Sequence, residues 1–220
     1  KKLVAIVWET VKNHPSTYVP PYSFAVRSAL KNTDLFIARS VKAKEYLLSI
    51  GADRRKIQII YKGIDTQEFK PGKKLNDGII RILYVGQLVR SKGVFELVEA
   101  FKKLITEFEN IELCLAGRSY GEPLEEDLKK MGKSIPIRVL SQIDYCKMSD
   151  LYRSADIYCH LSQDWKYLGI IPGGNDWFPY AVIEAMSSGL PVVATRVGGI
   201  PEQLGNIGNL YVMQKDVNSV

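Results

Sequence analysis

Short apolar runs alternate with helical patterns from the start of the chain. The runs predict three buried strands, at residues 3–7, 35–38 and 57–61. The segments between the strands predict two helices, at residues 22–31 and 41–50. Ser40 is a suitable N-cap for the second helix, and Gly51 is the residue expected to end it. Strand, helix, strand, helix, strand is the order typical of a parallel sheet.

The same alternation restarts after a polar stretch at residues 70–78, KPGKKLNDG, which predicts a linker. Further strands are predicted at residues 79–85, 111–116, 137–140, 156–161 and 190–195. Helices are predicted over residues 94–108, 123–131, 149–154 and 181–188, with Ser149 as the N-cap of the third. This order predicts a doubly wound, Rossmann-like α/β domain over residues 78–220, preceded by part of a smaller α/β domain over residues 1–72.

Composition excludes two classes of protein. The chain has 220 residues, of which 46% are hydrophobic, so it can bury a core and is not a disordered chain. No apolar run approaches the roughly 20 residues that a bilayer-spanning helix needs, so we expect no transmembrane segment. The cysteines Cys114, Cys146 and Cys159 follow no zinc-binding spacing, and we expect reduced thiols in a cytoplasmic protein.

Polar segments follow three of the predicted strands, at the edge where an open parallel sheet binds ligands. They are residues 86–93 (GQLVRSKG), 116–123 (AGRSYGEP) and 162–179. The first brings Arg90 and Lys92 to a turn before a helix, where backbone N–H groups, the helix dipole and two cations favour a diphosphate. A solvated turn is the alternative, because neither a dinucleotide fingerprint nor a P-loop is present.

Two carboxylates stand eight positions apart near the last predicted helix. Asp176 precedes that helix and Glu184 lies inside it, so both can face one cleft. A glutamate on an otherwise small and apolar helix indicates ligand binding, because an unpaired buried carboxylate is costly. A glutamate on an exposed helix face is the alternative.

Other candidate residues carry less information. Gly198 and Gly199 would let the backbone approach a ligand closely, and Glu202 either binds a ligand or interacts with the dipole of the helix that it opens. His160 ends a predicted strand and His14 lies in a polar loop, and a single histidine is more often structural than catalytic. The sequence indicates no catalytic triad and no metal-binding cluster.

Several segments together resemble one family. They are IIYKGIDTQEFKPG, ILYVGQLVRSKGVFELVEAF, LCLAGR, DLYRSADIYCHLS and DWFPYAVIEAMSSGLPVVATRVGGIPEQLG. In this order they look like the donor-binding, carboxyl-terminal domain of retaining glycosyltransferases of family 4, which have the GT-B architecture. The resemblance covers residues 57–212, and residues 1–56 look like the end of the amino-terminal, acceptor-side domain. The chain therefore resembles a fragment that carries mainly the donor site and is shortened at its carboxyl-terminal end.

The resemblance also implies which residues bind the donor. Lys92 matches the family's pyrophosphate-binding lysine, and Glu184 matches the glutamate that binds the donor's ribose. Asp176 stands where the family has a glutamate associated with the sugar, and Gln87 stands where it usually has an arginine, for which we expect Arg90 to compensate. The expected catalytic residues are Arg90, Lys92, Asp176 and Glu184. The expected donor-binding residues are Gly86, Gln87, Arg118, Ile143, Phe178, Pro179 and Tyr180.

Two loops have specific roles by the same resemblance. Residues 178–180 match a turn whose backbone amides approach the donor. Residues 163–175 are an insertion relative to the family's compact loop, and we expect a mobile flap with Gly173 and Gly174 as its hinges.

By resemblance, the parent enzyme transfers a sugar from a UDP-, GDP- or ADP-sugar to a sugar, a lipid-linked sugar or another small acceptor. It retains the anomeric configuration and needs neither a metal nor another cofactor, since cations and helix amino ends stabilise the leaving diphosphate. Two alternatives stay open. One is a GT-B relative with other chemistry, such as a sugar-nucleotide epimerase or a phosphorylase-like enzyme. The other is a donor-binding module without turnover.

The net charge of +6 is unevenly distributed. Residues 1–75 carry fifteen Lys and Arg against six Asp and Glu, a net charge of +9, whereas residues 76–220 carry fifteen against eighteen, a net charge of −3. The basic segment predicts peripheral contact with anionic lipid or a lipid-phosphate acceptor, the alternative being a solvated lysine-rich surface. The basic residues form no nucleic-acid-binding motif, so nucleic acid is not an expected partner.

Peripheral membrane contact predicts a dependence on lipid charge. We expect the protein to sediment with phosphatidylserine-containing vesicles more than with pure phosphatidylcholine vesicles, and raised salt should weaken this binding because it screens exposed charges. Equal sedimentation with both kinds of vesicle would remove the lipid hypothesis and leave the solvated surface.

Overall fold

A computed structural model describes residues 2–7, 20–119, 124–141, 143–164, 166–167, 171–172, 176–205 and 210–220. The chain forms two compact units. The first unit consists of residues 1–63, 164–179 and 197–205, and the second of residues 64–163, 180–196 and 206–220.

Strands and helices alternate along most of the chain. The strands are β1 (Val4–Val7), β2 (Leu35–Ala38), β3 (Ile57–Ile59), β4 (Ile80–Val85), β5 (Ile111–Ala116), β6 (Ile137–Leu140), β7 (Ile157–His160), β8 (Lys166–Tyr167), β9 (Ile171–Pro172), β10 (Val192–Thr195) and β11 (Leu210–Val212). The helices are α1 (Tyr22–Asn32), α2 (Val41–Ser49), α3 (Val94–Leu104), α4 (Leu124–Met131), α5 (Met148–Arg153), α6 (Tyr180–Ser187) and α7 (Ile200–Leu204).

The first unit contains a three-stranded parallel sheet in the order β1-β2-β3. Its small core is formed where α2 packs on the sheet, and it consists of Phe36, Ala38, Ala43, Leu47 and Ala52. The predicted N-cap of α2 is confirmed, because the Ser40 hydroxyl accepts a hydrogen bond of 3.0 Å from the Ala43 N–H. Strands β8 and β9 form a separate antiparallel pair.

The second unit is built on a six-stranded parallel sheet in the order β11-β10-β7-β4-β5-β6. The chain enters at the central strand β4, adds β5 and β6 on one side, and then crosses to β7, β10 and β11 on the other. This is the doubly wound order, and its switch point lies between β4 and β7. The predicted Rossmann-like α/β fold class is confirmed.

Helices cover the central strands, which explains their continuous apolar sequences. Leu83, Leu113 and Leu115 are fully buried, and α3 packs its apolar stripe, including Leu97 and Phe101, into one core with Leu113 and Leu115. This layered packing needs helices that are apolar on one face and strands that are apolar on both faces.

Three details differ from the sequence predictions. The helix predicted over residues 94–108 ends at Leu104, because the chain tightens there into a turn in which the Thr106 N–H bonds to the Lys103 carbonyl. Ser149 is not an N-cap, since α5 continues a short turn at Tyr145–Lys147 and already begins at Met148. Strands β8, β9 and β11 were not predicted, because runs of two or three residues show no periodicity.

The polar stretch predicted as a linker, residues 70–78, contains no helix or strand and belongs to the second unit. Phe69, just before it, is fully buried with its ring 5.9 Å from that of Tyr152, and Lys74 pairs with Asp156 at 3.0 Å. The chain first passes from one compact unit to the other at residues 63 and 64. The assignment of residues 1–72 and 78–220 to separate domains stays a prediction.

At the switch point, the loops that follow β4 and β7 are in direct contact. The Gln163 N–H donates to the Ser91 carbonyl at 2.8 Å. Gly93 has a φ of +69°, and a Cβ atom placed on it would lie 2.0 Å from the Leu161 carbonyl oxygen. A residue with a side chain would therefore be strained by its backbone conformation and would also collide with the neighbouring loop.

We expect Gly93→Ala to destabilise the second unit by at least about 2 kcal/mol, which corresponds to a fall in Tm of about 4–8 °C. Gly63→Ala is the matched control, because a Cβ atom there meets nothing within 4 Å, and its Tm should stay close to that of the wild type. Thermal unfolding measured by circular dichroism checks both variants. Equal Tm values for the two would contradict the close packing at Gly93.

Candidate functional site

A cavity of about 440 Å³ lies at the carboxyl ends of β4 and β5 in the second unit. It is lined by strand ends and by the segments that follow them: Val85, Gly86, Gln87, Ala116, Gly117, Arg118, Ser141, Ile143 and Met148. Four residues predicted to bind the donor are therefore neighbours in one cavity: Gly86, Gln87, Arg118 and Ile143. The structure places them at the sheet edge where doubly wound folds bind ligands.

Backbone hydrogen bonds hold the loops that line this cavity. The Gly86 N–H donates to the Ala116 carbonyl and the Leu88 N–H donates to the Arg118 carbonyl, both at 2.9 Å. The backbone on both sides of Gln87 is thereby fixed, while the Gln87 side chain is exposed. This geometry leaves the side chain at position 87 able to meet a ligand without rearrangement of the loop.

The predicted diphosphate-binding turn follows the same strand. Arg90–Lys92 form a short 3-10 turn, and Gly93 then starts α3 without supplying a capping side chain. The Arg90 guanidinium lies over the Phe95 ring, with its carbon 4.1 Å from the ring centre. A cation stacked in this way is held near the amino end of α3, where the helix dipole also favours an anion.

Glu184 is buried inside α6, with 7% of its surface exposed, so the exposed-face alternative is wrong. Its Oε2 accepts a hydrogen bond of 2.8 Å from the Tyr152 hydroxyl, which sits on α5. Burial raises the pKa of Glu184, although the hydrogen bond from Tyr152 acts in the opposite direction. Within the part of the chain that the structure describes, Tyr152 is the one side chain that donates to this buried carboxylate, which fits a group that also receives a ligand hydroxyl.

His160 has a structural environment at the end of β7. Its Nδ1 lies 3.0 Å from the Tyr158 hydroxyl and its Nε2 lies 3.2 Å from the Ser162 hydroxyl, so both ring nitrogens are engaged inside the protein. The structural interpretation of this residue therefore fits the geometry. His14 lies outside the described residues.

Asp176, Phe178 and Pro179 belong to the first unit. The Gly199 N–H donates to the Asp176 carbonyl at 3.0 Å, and a Cβ atom on Gly198 would lie 2.2 Å from the same oxygen. The close approach predicted for these two glycines is therefore made to the chain's own backbone.

Pro179 has no N–H, so within the predicted turn of residues 178–180 it can contribute only its carbonyl and its ring. The hinges predicted at Gly173 and Gly174 lie outside the described residues.

Glu202 does more than interact with its own helix. It lies in the first turn of α7, and both of its carboxylate oxygens lie 2.9 Å from the Val41 N–H at the start of α2. It also accepts a hydrogen bond of 2.7 Å from the Tyr61 hydroxyl. The sequence left two roles open for this residue, and the structure places its carboxylate at the amino end of another helix.

Among the residues that the structure describes, the remaining reactive side chains form no second candidate centre. All three cysteines are free thiols, and burial raises the pKa of Cys159 to about 12, which makes it unreactive. Within the described ranges, no three side chains of His, Cys, Asp or Glu are grouped so that they could hold a metal ion. No helix in the same ranges is long and apolar enough to cross a bilayer.

Residues 65–219 match the protein family described as Glycosyl transferases group 1. The chain belongs to this family. The predicted resemblance is thereby confirmed at the level of the glycosyltransferase group, and most of the match lies in the second unit, which holds the cavity.

Curated relatives are similar over most of this chain. Sulfoquinovosyl transferase SQD2 of Arabidopsis thaliana is 26% identical over 223 residues, which cover 90% of this chain and 40% of that protein. MMP alpha-(1->4)-mannosyltransferase of Mycolicibacterium hassiacum is 28% identical over 184 residues, covering 83% of this chain and 41% of that protein. The chain therefore spans less than half the length of these relatives.

Solved structures share the fold. Anabaena Alr3699/HepE, crystallised in complex with UDP and glucose, is 18% identical with a TM-score of 0.75, over 100% of this chain and 60% of that one. At this level of identity the likeness supports the GT-B type of α/β fold, which is the architecture that the sequence predicts.

Sequence reasoning missed several contacts. In the second unit Tyr152 holds Glu184, and Ser141 and Met148 line the cavity. In the first unit Tyr61 binds Glu202. Tyr152 lies in the segment DLYRSADIYCHLS, which carries the family resemblance, but nothing in its spacing connects it with Glu184. Contacts between residues so distant in sequence become visible only in the folded chain.

We expect Glu184→Gln to be more stable than the wild type at neutral pH. Because burial raises the native pKa, the contribution of Glu184 to stability is complete below the ordinary glutamate pKa and is lost as the pH rises through the native value. The amide keeps an acceptor for Tyr152 and carries no charge to bury. Urea unfolding at about pH 4 and about pH 8 should show an advantage that grows with pH.

Glu126→Gln is the control for this measurement, since Glu126 is exposed on α4 and its replacement should change stability little at either pH. An advantage of Glu184→Gln that shrinks as the pH rises would contradict the raised pKa.

Proposed function

We propose that this chain carries the nucleotide-sugar site of a glycosyltransferase that moves a sugar from a nucleotide-sugar donor to an acceptor. The observation that carries the proposal is the cavity at the carboxyl ends of β4 and β5, which gathers Gly86, Gln87, Arg118 and Ile143 in a member of the glycosyltransferase group. The crystals of the structurally similar Alr3699/HepE with UDP and glucose support the choice of donor class.

The diphosphate of the donor binds at the amino end of α3. Arg90 and Lys92 stand on the turn before that helix, and the N–H groups of its first turn add hydrogen-bond donors. Residues 76–220 are acidic overall, so these local cations are needed to hold an anion there. Gln87 supplies a neutral amide in place of the family's arginine, which makes Arg90 the second cation of the site.

Two carboxylates have roles that the resemblance implies: Glu184 binds the ribose of the donor, and Asp176 contacts its sugar. Glu184 uses Oε2 for Tyr152, and its Oε1 accepts a hydrogen bond from a ribose hydroxyl. Asp176 accepts hydrogen bonds from the sugar, and Phe178, Pro179 and Tyr180 form the adjoining turn. Each group acts by orienting the donor, so that the reacting bond is held in one geometry.

In the reaction, the bond between the anomeric carbon and the diphosphate oxygen breaks, a bond to the acceptor oxygen forms, and the proton of the acceptor hydroxyl leaves with the diphosphate. Positive charge develops on the sugar and negative charge on the leaving diphosphate. Arg90, Lys92 and the amino end of α3 stabilise the diphosphate in the role that a metal ion has in other transferases. We propose that the anomeric configuration is retained, as in the family that the sequence resembles.

The acceptor is a sugar, a lipid-linked sugar or another small molecule. We propose that the parent protein works in the cytoplasm, in peripheral contact with a membrane through its basic first segment. Relatives such as the phosphatidylinositol N-acetylglucosaminyltransferase GPI3 subunit of Saccharomyces cerevisiae act, by name, on a lipid, which supports this choice.

A nucleoside diphosphate should stabilise the protein against heat. At a concentration of about 100 times Kd, we expect a gain of about 2.7 kcal/mol and a rise in Tm of about 5–10 °C with one of UDP, GDP or ADP. The double variant Lys92→Ala with Glu184→Ala should lose this rise, because it lacks contacts to both the diphosphate and the ribose. A thermal-shift screen over nucleotides and nucleotide sugars makes the measurement.

The control for this screen is the double variant Lys133→Ala with Glu126→Ala, which removes one exposed cation and one exposed carboxylate outside the cavity and should keep the full shift. A well-folded wild type whose Tm responds to none of the nucleotides would contradict the proposal. Release of nucleotide only when an acceptor is added would separate transfer from epimerase or phosphorylase chemistry.

A further inference from the structure

Glu202 joins two segments of the first unit that are far apart in sequence. Its carboxylate accepts the Val41 N–H at the amino end of α2, and it accepts the Tyr61 hydroxyl at 2.7 Å. A carboxylate at a helix amino end is stabilised by the helix dipole, and charge-assisted hydrogen bonds are stronger than neutral ones. The Tyr61 side chain is half exposed, and this bond restrains its hydroxyl end.

The Tyr61 ring in turn lies against the segment that contains Asp176. Its centre is 5.3 Å from that of Phe178, and the two rings are nearly parallel, with 23° between their planes. Phe178 is buried, so this stacking fixes the side chain at the middle of the segment. The stacked pair contributes about 0.5–1.5 kcal/mol beyond the area that it buries.

Helix α7, which carries Glu202, holds the same segment from both ends. The Gly199 N–H, just before α7, donates to the Asp176 carbonyl at 3.0 Å. The Gln203 amide, next to Glu202, donates from Nε2 to the Pro179 carbonyl at 2.9 Å. Residues 176–179 are therefore fixed at their first, middle and last positions by α7 and Tyr61.

We propose that Tyr61 and Glu202 are positioning residues that fix the backbone of Asp176 within the first unit. This inference rests on the proposed function, in which Asp176 contacts the sugar. Aspartate is one methylene shorter than the glutamate that, by the resemblance, the family has at this position, so its carboxylate reaches less far from the backbone. A contact made by Asp176 therefore depends more on the place of its backbone than a contact made by the longer side chain would.

The contacts of Tyr61 and Glu202 affect how precisely the segment is held rather than the overall stability of the unit. A reacting group must be held within about 0.5 Å of its productive place, and an error of about 1 Å can cost about a hundredfold in rate. Loss of the Tyr61 hydroxyl would leave the ring in place as a hydrophobic group but free to shift along Phe178. The segment would stay folded while the carboxylate of Asp176 lost its fixed position.

The experiment compares Tyr61→Phe, Glu202→Gln and Glu202→Ala with the wild-type protein. We expect the affinity for the nucleoside diphosphate alone to change by less than about twofold, whereas kcat with the nucleotide sugar falls by about tenfold or more in Tyr61→Phe and Glu202→Ala. Glu202→Gln keeps an acceptor oxygen and should recover part of the loss. Tyr22→Phe and Glu45→Gln, both at exposed positions, are the matched controls and should match the wild type.

A second measurement needs no activity. Trp177 lies inside the positioned segment, and replacing Trp8 and Trp165 by Phe leaves it as the one fluorescent tryptophan. In that background Tyr61→Phe should raise the quenching of Trp177 by acrylamide, because the segment is released, and Tyr22→Phe should not.

The outcomes separate the two proposals. If the wild type binds no nucleotide, the proposed function fails, and the Trp177 measurement still tests the positioning. Unchanged kcat and unchanged quenching in Tyr61→Phe would overturn the positioning role. An equal loss of diphosphate affinity and of kcat would also overturn it, since that result indicates a general structural defect.

Discussion

The parallel sheet of the second unit, buried on both faces, is the constraint on which the rest of the structure depends. Helices cover both faces, so a ligand can reach the sheet only at its edges. The loops after β4 and β7 meet at the switch point, where the Gln163 N–H binds the Ser91 carbonyl and Gly93 lies against Leu161. This contact fixes the turn that carries Arg90–Lys92 and the amino end of α3.

Burial of Glu184 illustrates the conflict between function and stability. The helix around it is small and apolar, and a neutral side chain would pack there at less cost. Tyr152 offsets part of that cost through one hydrogen bond, and burial still raises the pKa of the carboxyl group. A residue that weakens the fold in this way is expected where it contacts a ligand, and this is the physical reason behind the proposal that Glu184 binds the ribose.

The first unit has a different structural feature: it holds a short irregular segment in one position. Residues 176–179 have no helix or strand of their own, so their position depends on contacts from elsewhere. Those contacts come from Tyr61 after β3 and from α7, and Glu202 connects both to α2. Contacts from several separate elements can thus hold a segment in a well-defined position even though it has no regular secondary structure.

The sequence by itself determined the order of most helices and strands, the α/β fold class, the family resemblance and four of the nine residues that line the cavity. Each of these depends on local patterns: apolar periodicity sets the elements, and position just after a strand sets the functional edge. The tertiary structure decided which residues support them. The pairing of Tyr152 with Glu184, and of Tyr61 with Glu202, joins residues 32 and 141 positions apart. No periodicity records such pairs, because they are selected by the packing of whole elements.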